Sequence, residues 1–420
     1  MAKPSIKMAL SSACCCLFGI SANAETKSWY IDMGAMNYIE QERNIGLEFI
    51  INARRELQDD DAISLQFDID TLTGATPNGA SASNKPQTFT MASGIGHYQV
   101  AANELPADDT HMDTRMAASI LYEDALKNNL QLNYTAHISM EFDYLSLATG
   151  IEFLQDFYQH TSTLLGGINF EYNRVHPVGG VPIGLASIQP PRTLQPRQST
   201  SETRRQAGIH IGLNQIINKN SLMQIKYAWA NASGYLTDPY KILSVIDDEN
   251  ISQLGSTQDY VYESRPEQRN IQNVFFAYKH NLNNDVVDFS YRYYWDEWNI
   301  NSNTLDIKYR YQLKNQYYLQ PHFRWYEQSA ADFFRHSLNT SESIPEYASA
   351  DFRLANFNAY TVGFRYGKSL ANNQEHSIGI EYYTQRGNSH PDSAIGIQQQ
   401  QDLFPTLNTL ILTWNYALYW

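Results

Sequence analysis

At the end of the chain, residues 410–420 read L-I-L-T-W-N-Y-A-L-Y-W, and every second residue is large and apolar: Leu410, Leu412, Trp414, Tyr416, Leu418 and Trp420. In a strand those side chains share one face. A strand that ends on an aromatic residue, with a wholly bulky apolar face, fits the closing strand of a barrel whose outside meets lipid better than the edge of a soluble sheet. Trp414, Tyr416, Leu418 and Trp420 also have the form of the C-terminal signal by which outer-membrane barrels are recognised for insertion.

The same period runs through the interior. Over residues 130–144 the even positions are Leu130, Leu132, Tyr134, Ala136, Ile138, Met140, Phe142 and Tyr144, and the odd ones Gln131, Asn133, Thr135, His137, Ser139, Glu141 and Asp143. That alternation predicts one long tilted strand, apolar outward and polar inward. Residues 305–313, 289–296 and 63–70 repeat it. The full pattern predicts strands at 30–42, 44–57, 62–72, 115–126, 130–144, 146–156, 162–174, 203–216, 221–233, 269–281, 286–297, 302–313, 316–328, 353–368, 375–386 and 405–420. The fold class is therefore all-β, a transmembrane antiparallel barrel of sixteen strands. Fourteen or eighteen follow if the poorly alternating first segment is misread, since an even count keeps both termini on one side. Short polar turns at 58–61, 127–129, 218–220, 281–284, 314–316 and 371–374 alternate with long stretches at 73–114, 175–202, 234–268, 329–352 and 387–404. Short periplasmic turns and long external loops are the usual barrel arrangement.

Composition supports an exported barrel. Lys3 and Lys7 precede a short apolar stretch at 8–20, and Ala22-Asn23-Ala24 supplies small residues for cleavage before Glu25. Residues 1–24 are thus expected to be a Sec signal peptide and 25–420 a single barrel domain in the outer membrane of a Gram-negative bacterium. Cys14, Cys15 and Cys16 lie inside the apolar stretch, too early for a lipid-attachment site, and leave with it. A cysteine-free mature chain excludes disulfides, thiolate metal sites and a cysteine nucleophile. The net charge of −14 disfavours nucleic acid as a partner. No segment after residue 24 approaches the roughly 18 apolar residues of a membrane helix.

Five spaced segments carry a resemblance: 70–80 (D-T-L-T-G-A-T-P-N-G-A), 234–241 (G-Y-L-T-D-P-Y-K), 265–269 (R-P-E-Q-R), 290–296 (S-Y-R-Y-Y-W-D) and 330–334 (A-A-D-F-F). In this order they resemble the proteobacterial outer-membrane barrel family called domain of unknown function 3570. The resemblance spans about residues 30 to 420 and implies the barrel fold, but no catalytic residue. Genes of that family often sit near those of a flavin-transferring enzyme and a thioredoxin-like protein; the resemblance thus hints at a periplasmic redox system, of which this cysteine-free chain could only be the membrane component. At 301–304 (N-S-N-T) the sequence departs from the pattern, with Asn303 where a histidine is expected.

Candidate chemistry is sparse. Gly74, Pro77, Asn78 and Gly79 form a turn-rich connection that either caps the barrel or folds inward to constrict it or hold a ligand. By alternation Arg292, Lys308, Arg310 and Arg324 should face the lumen as a basic wall, with Asp68, Asp70, Glu141 and Asp143 well separated around the barrel. Opposed walls would orient polar solutes; alternatively, neighbouring charges pair and merely fill the interior. The histidines show neither H-E-x-x-H nor a G-x-S-x-G nucleophile setting. His111, Asp113, His336 and His390 lie in or near loops without catalytic spacing, so no enzymatic activity and no cofactor are expected. Asp59-Asp60-Asp61 reads as a solvated turn rather than a Ca²⁺ site. The expected partners are outer-membrane lipid and lipopolysaccharide, the barrel-insertion machinery and a small polar solute. The expected function is a porin-like channel; the alternative is a closed barrel anchoring a periplasmic assembly.

Overall fold

A computed structural model of the chain describes residues 29–41, 43–90, 97–127, 129–190, 193–370 and 374–419. The expected leader at 1–24, Trp420, and the turn residues Asn128 and 371–373 lie outside these. Sixteen antiparallel strands close into one barrel: β1 (Trp29–Glu40), β2 (Asn44–Glu56), β3 (Ala62–Pro77), β4 (Ala107–Leu126), β5 (Leu130–Met140), β6 (Tyr144–Phe157), β7 (Ser162–Val175), β8 (Glu202–Asn218), β9 (Ser221–Gly234), β10 (Gln268–Leu282), β11 (Asp285–Asp296), β12 (Asn301–Gln312), β13 (Tyr317–Gln328), β14 (Phe357–Ser369), β15 (Glu375–Gly387) and β16 (Leu407–Tyr419). Each strand pairs with its neighbours in sequence, and β16 closes on β1 in a ladder running from Tyr30 opposite Tyr419 to Glu40 opposite Thr409.

The first segment is a strand despite its poor alternation. Its register places Gly34 and Met36 on the inner phase and Asn37 on the outer, which blurs the sequence period, while β2 and β16 supply ladders on both edges. Elsewhere the outer face is as expected. Ile168, Val362 and Ile378 are more than half exposed, and Phe67, Ile138, Ile151, Leu412 and Trp414 are exposed beside them. At about 25 cal/mol per Å² of apolar surface, a band of this kind is untenable in water and favourable in lipid. Stacked aromatics mark both rims of the outer face, among them Tyr317 with Tyr366, Trp414 with Tyr416, and Tyr293 with Trp295. Among the described residues no helix is long and apolar enough to cross a membrane; the strands make the crossing.

Four expected boundaries are corrected; one is that of β4, which begins at Ala107, opposite Pro77, rather than at residue 115. The strand expected over 130–144 stops at Met140, where residues 141–143 turn the chain into β6, so Glu141 and Asp143 sit in an external turn. The outward alternation continues through exposed Phe142, which hid the break. The connection expected from residue 73 begins only after Pro77, because β3 continues through a register shift between Gly74 and Thr76. Gly74 adopts φ +128°, and a Cβ there would lie 2.3 Å from the Arg43 carbonyl oxygen. The strand expected from 353 starts at Phe357, after a 3₁₀ turn at Phe352–Leu354.

The end of the barrel that carries both termini has short turns only, several with left-handed residues such as Asp59, Asn283 and Asn315. Five long connections (78–106, 176–201, 235–267, 329–356 and 388–406) gather at the other end as a cap with its own core. Ala80, Phe89, Tyr98 and Val100 pack on Ile242 and Tyr262. Leu243, Val261, Leu338, Ala348 and Ala350 form a second cluster, and Trp298, Ile300, Ala331, Phe333 and Leu354 a third. A small sheet joins Ile242–Ile246 to Thr257–Tyr262 and to Leu338–Asn339.

Val362 lies mid-strand on the lipid face of β14. Val362→Arg is expected to destabilise the barrel by about 2–4 kcal/mol, read by urea unfolding in lipid vesicles, whereas Val362→Leu should be near neutral.

Candidate functional site

Arg292, Lys308, Arg310 and Arg324 all fall on the inner phase, on three strands, β11 to β13. The structure divides them. Lys308 Nζ is 3.6 Å from Asp306, and Arg310 is 3.1 Å from Glu375 while its guanidinium stacks 3.6 Å over the Tyr318 ring. His322 bridges Asp306 and Glu381, at 2.9 Å and 2.8 Å. Among the described residues Arg292, Arg324 and Arg365 of β14 have no carboxylate within ion-pair distance. Arg324 and Arg365 face inward from mid-strand and are nevertheless solvent-exposed, so water reaches this wall.

The expected acidic residues behave differently. β3 lies eight strands around the ring from β11 and so faces it. On β3, Asp68 is buried and accepts a 2.8 Å hydrogen bond from Gln66, and Asp70 accepts one from Arg115 Nε at 2.7 Å. Further inner carboxylates are also held: Glu123 by Arg54, Glu152 by His210 and Lys226, and Glu171 by Arg204. Glu141 and Asp143 belong to the external turn. There they gather with Asp113 of β4, and the Tyr240 hydroxyl donates to Asp143. Burial, reinforced by Asp113 and Asp143, pushes the Glu141 carboxyl up to about 8.

A further set of inner residues escaped sequence reasoning. Tyr38, Tyr294, Tyr326 and Tyr383 stand on β1, β11, β13 and β15, every second strand of one arc. Each hydroxyl donates to the side chain two residues on: Tyr38 to Glu40 (2.7 Å), Tyr294 to Asp296 (2.7 Å), Tyr326 to Gln328 (2.6 Å) and Tyr383 to Gln385 (2.8 Å). The strands between supply small buried residues, Ser302, Ala359, Thr361 and Thr409, which leave room for the rings. The tyrosines therefore form a shelf just inside the external mouth. Arg292 and Arg324 stand two residues below it on β11 and β13. The readable signal was an aromatic residue in the polar phase of a strand, followed at i+2 by Asp, Glu or Gln.

Above the shelf, the sequence motifs converge in the cap. Gly79 has φ +100°, and a Cβ there would lie 2.5 Å from the Ile242 carbonyl oxygen, so only glycine allows this docking. Asn78 accepts from the Ile242 amide at 2.9 Å, and the Pro77 carbonyl accepts from Lys241 Nζ. Gly74, Pro77, Asn78 and Gly79 thus tie β3 to the 235–267 loop.

Beside them lies an ionic knot of Asp238, Lys241, Glu263, Arg265, Asp351 and Arg353. Arg265 Nε is 2.7 Å from Glu263 and its Nη2 2.8 Å from Asp351; Arg353 is 2.6 Å from Asp238. Ser349 donates to Glu263. Burial opposes ionisation throughout, and it raises the Glu263 carboxyl and lowers the Lys241 ammonium. Against burial, Arg353 holds Asp238 and Asp351 below the usual carboxylate range.

The remaining candidates are dispersed. Asp61 accepts from the Tyr122 hydroxyl at 2.6 Å and the Ala125 amide at 2.9 Å, while Asp59 and Asp60 are exposed. Among the described residues no group of His, Cys, Asp or Glu is arranged to hold a metal. His336 packs edge-on against Phe334, His390 hydrogen-bonds Ser389, and the His111 side chain lies outside the described residues. Asn303, at the departure from the motif, accepts from the Tyr291 hydroxyl and donates to Glu327. Trp414, Tyr416 and Leu418 lie on the outer phase of β16.

The family described as "Protein of unknown function (DUF3570)" matches residues 7–418. The chain belongs to this family. No curated protein matches it. Among solved structures the DUF3570 chain is similar to a mutant of the ferric enterobactin receptor PfeA from Pseudomonas aeruginosa, with TM-score 0.43 and 9% identity over 87% of this chain and 55% of that one. It thus spans little more than half the length of that receptor. It is also similar to the outer membrane protein opdK of the same organism, with TM-score 0.40 and 8% identity over 95% and 100% of the two chains. A mutant of the monoaromatic hydrocarbon channel TodX gives TM-score 0.39 and 9% identity over 94% and 91%.

Two outcomes test this cap. Arg265→Ala leaves buried Glu263 without its ion-pair partner and Asp351 with Arg353 alone, and about 3–5 kcal/mol of local stability should be lost. Native-state hydrogen exchange of the 235–267 amides should read it, with the barrel amides unchanged. Glu141 is the pH-dependent element. Its folded-state affinity for a proton exceeds that of the unfolded chain, so the stability it contributes is complete in the acid range and is lost as pH rises through about 8. Protease cleavage near Tyr240 should therefore quicken between about pH 5 and about pH 9, and Glu141→Gln should flatten that dependence.

Proposed function

We propose that this DUF3570 barrel passes a small polar solute across the outer membrane through its lumen. The observation that carries this reading is the pair of inward, mid-strand, water-exposed arginines, Arg324 and Arg365, on a wall that also holds Arg292. An interior packed shut by paired charges would leave no such groups in contact with water. Lys308 and Arg310 belong to the same wall but are engaged locally, so Arg292 and Arg324 are the members of the expected set that a solute would meet. On this reading the chain is no enzyme: its charged residues line a path. Export through the Sec pathway, with cleavage after Ala24, and insertion guided by the C-terminal strand complete the proposal.

A second reading is a closed barrel that anchors a periplasmic assembly. It is favoured by the cap, whose five loops interlock: Ser81 bonds Ser244 and the His336 carbonyl, Leu185 bonds Tyr262, and Ile397 bonds Leu254. Single-channel recording of the refolded mature chain in planar bilayers separates the two. Reproducible current steps that change when Arg292 and Arg324 are both replaced by Gln support the channel. A folded, heat-modifiable barrel that never conducts sinks it.

A further inference from the structure

Three of the five segments that carry the family resemblance meet at one cavity in the cap. Pro266 belongs to the 265–269 segment and Asp332 and Phe333 to the 330–334 segment, while Glu297 and Trp298 directly follow the 290–296 segment; all five line it. The cavity holds about 260 Å³ beyond the external ends of β10 to β13, and none of the lumen arginines lines it.

Its floor is apolar. Trp298 and Phe333 meet edge to face at 5.1 Å, both buried in the third cap cluster, and Arg269 covers one face of Trp298 at 4.2 Å. The apolar surface still open to a ligand is that of Pro266, Tyr347 and the more exposed Pro345. These walls are fixed. Trp298 Nε1 donates to the Gln268 carbonyl at 2.9 Å, the Asp332 amide to the Trp298 carbonyl at 3.1 Å, and the Arg335 amide to the Ser349 carbonyl at 2.9 Å. Asp296 accepts from the Trp298 and Ile300 amides at 3.0 Å, and Gln328 donates to the Ala355 carbonyl at 2.6 Å, which ties the same loops to the barrel rim. A cavity held in this way has its shape before a ligand arrives.

The rim is acidic. Glu297, Asp332 and Glu346 are exposed carboxylates of the lining, and among the described residues none of them has a cation within ion-pair distance. Glu297 Oε2 accepts from Asn270 Nδ2 at 2.7 Å and Asp332 Oδ1 from Asn299 Nδ2 at 3.0 Å, so two of the three are held in place by neutral donors. Arg335 is the one base in the lining, and its guanidinium donates to the carbonyl oxygens of Asp332 at 3.2 Å and Phe334 at 2.9 Å. Three negative charges against one positive, set over low-dielectric walls, attract cations and repel anions. The acids are not gathered as a metal centre requires, and apolar walls suit a bare, strongly hydrated ion poorly.

We propose that this cavity binds a small organic ammonium, with the charged nitrogen among Glu297, Asp332 and Glu346 and the apolar body between Pro266, Pro345 and Tyr347. Its volume, just below the roughly 300–1,000 Å³ of drug-sized pockets, limits that body to about one ring. The site lies outside the lumen and does not depend on the channel reading.

Phenethylammonium binding to the detergent-folded mature barrel tests it, measured by equilibrium dialysis with a protein-free detergent blank. Saturable binding is expected. Phenylacetate, a similar body of opposite charge, should not displace it, and methylammonium or Ca²⁺ should do so only at much higher concentration. Glu297→Gln/Glu346→Gln should weaken binding about tenfold or more through loss of charge-assisted hydrogen bonds. Tyr347→Ser should narrow the preference over methylammonium about fivefold through loss of apolar contact. Heat modifiability confirms that each variant is folded; Glu346→Gln alone and Pro345→Ser replace any that is not. Absence of saturable binding overturns the proposal, as does binding that survives the carboxylate changes or phenylacetate competing as well as the amine. Displacement by Ca²⁺ at the same low concentration identifies an inorganic cation site and overturns it too. None of these outcomes bears on conduction, so the channel stands or falls separately.

Discussion

Everything in this fold depends on the requirement that a strand in lipid leave no backbone group unpaired. Hydrocarbon offers no hydrogen bond to replace a missing one, so an edge is intolerable and the sheet must close. The contact that satisfies this is the ladder between β16 and β1. It explains why the weakly patterned segment Trp29–Glu40 is a strand at all: two neighbours demand its amides. It also explains why the last strand is so regular, since Trp414, Tyr416 and Leu418 must face lipid while Thr409, Thr413 and Asn415 face inward.

Closure at one end leaves the other free to elaborate. Two of the short turns at the terminal end, Gln58–Asp60 and Lys314–Gln316, carry left-handed residues and bury no side chain. The external connections are long enough to bury apolar residues of their own, and they do so in three clusters joined by a small sheet. Within that core the knot around Arg265 and Arg353 balances three acids against three bases. Buried ion pairs of this sort add little net stability over apolar packing, but they tolerate only one arrangement of their partners. Their effect here is to fix how the 235–267 and 329–356 loops sit on one another, and through Gln328 and Asp296 how the cap holds the shelf beneath it.

The lumen is asymmetric for the same reason. Most inner carboxylates have a cation nearby, on the adjacent strand as for Asp70 with Arg115 and Glu171 with Arg204, or two strands away as for Glu123 with Arg54 and Glu152 with His210, which neutralises the interior locally. The β11–β14 wall departs from this because His322 takes two acids at once. One imidazole bridges Asp306 and Glu381, and Arg324, directly opposite Asp306 in the ladder, stands near these acids without a direct ion pair.

By itself the sequence determined the barrel, its sixteen strands, their inward and outward faces and the division into short turns and long loops. Each of these rests on a period of two, which is local and survives in any context that wets one face and not the other. The inner placement of Arg292, Lys308, Arg310 and Arg324 was legible for the same reason. Only the tertiary structure decided which of them are engaged, because Glu375 and Glu381 lie on β15, brought near β12 and β13 by barrel curvature rather than by sequence. It also moved Glu141 and Asp143 off their strand: a tight turn need not interrupt alternation, so the break at Met140 left no trace in the pattern. The cap and the tyrosine shelf were hidden for a related reason. Residues 77–81, 238–241, 263–265 and 349–353 are far apart along the chain, and their complementarity exists only once closure has set five loops over one mouth.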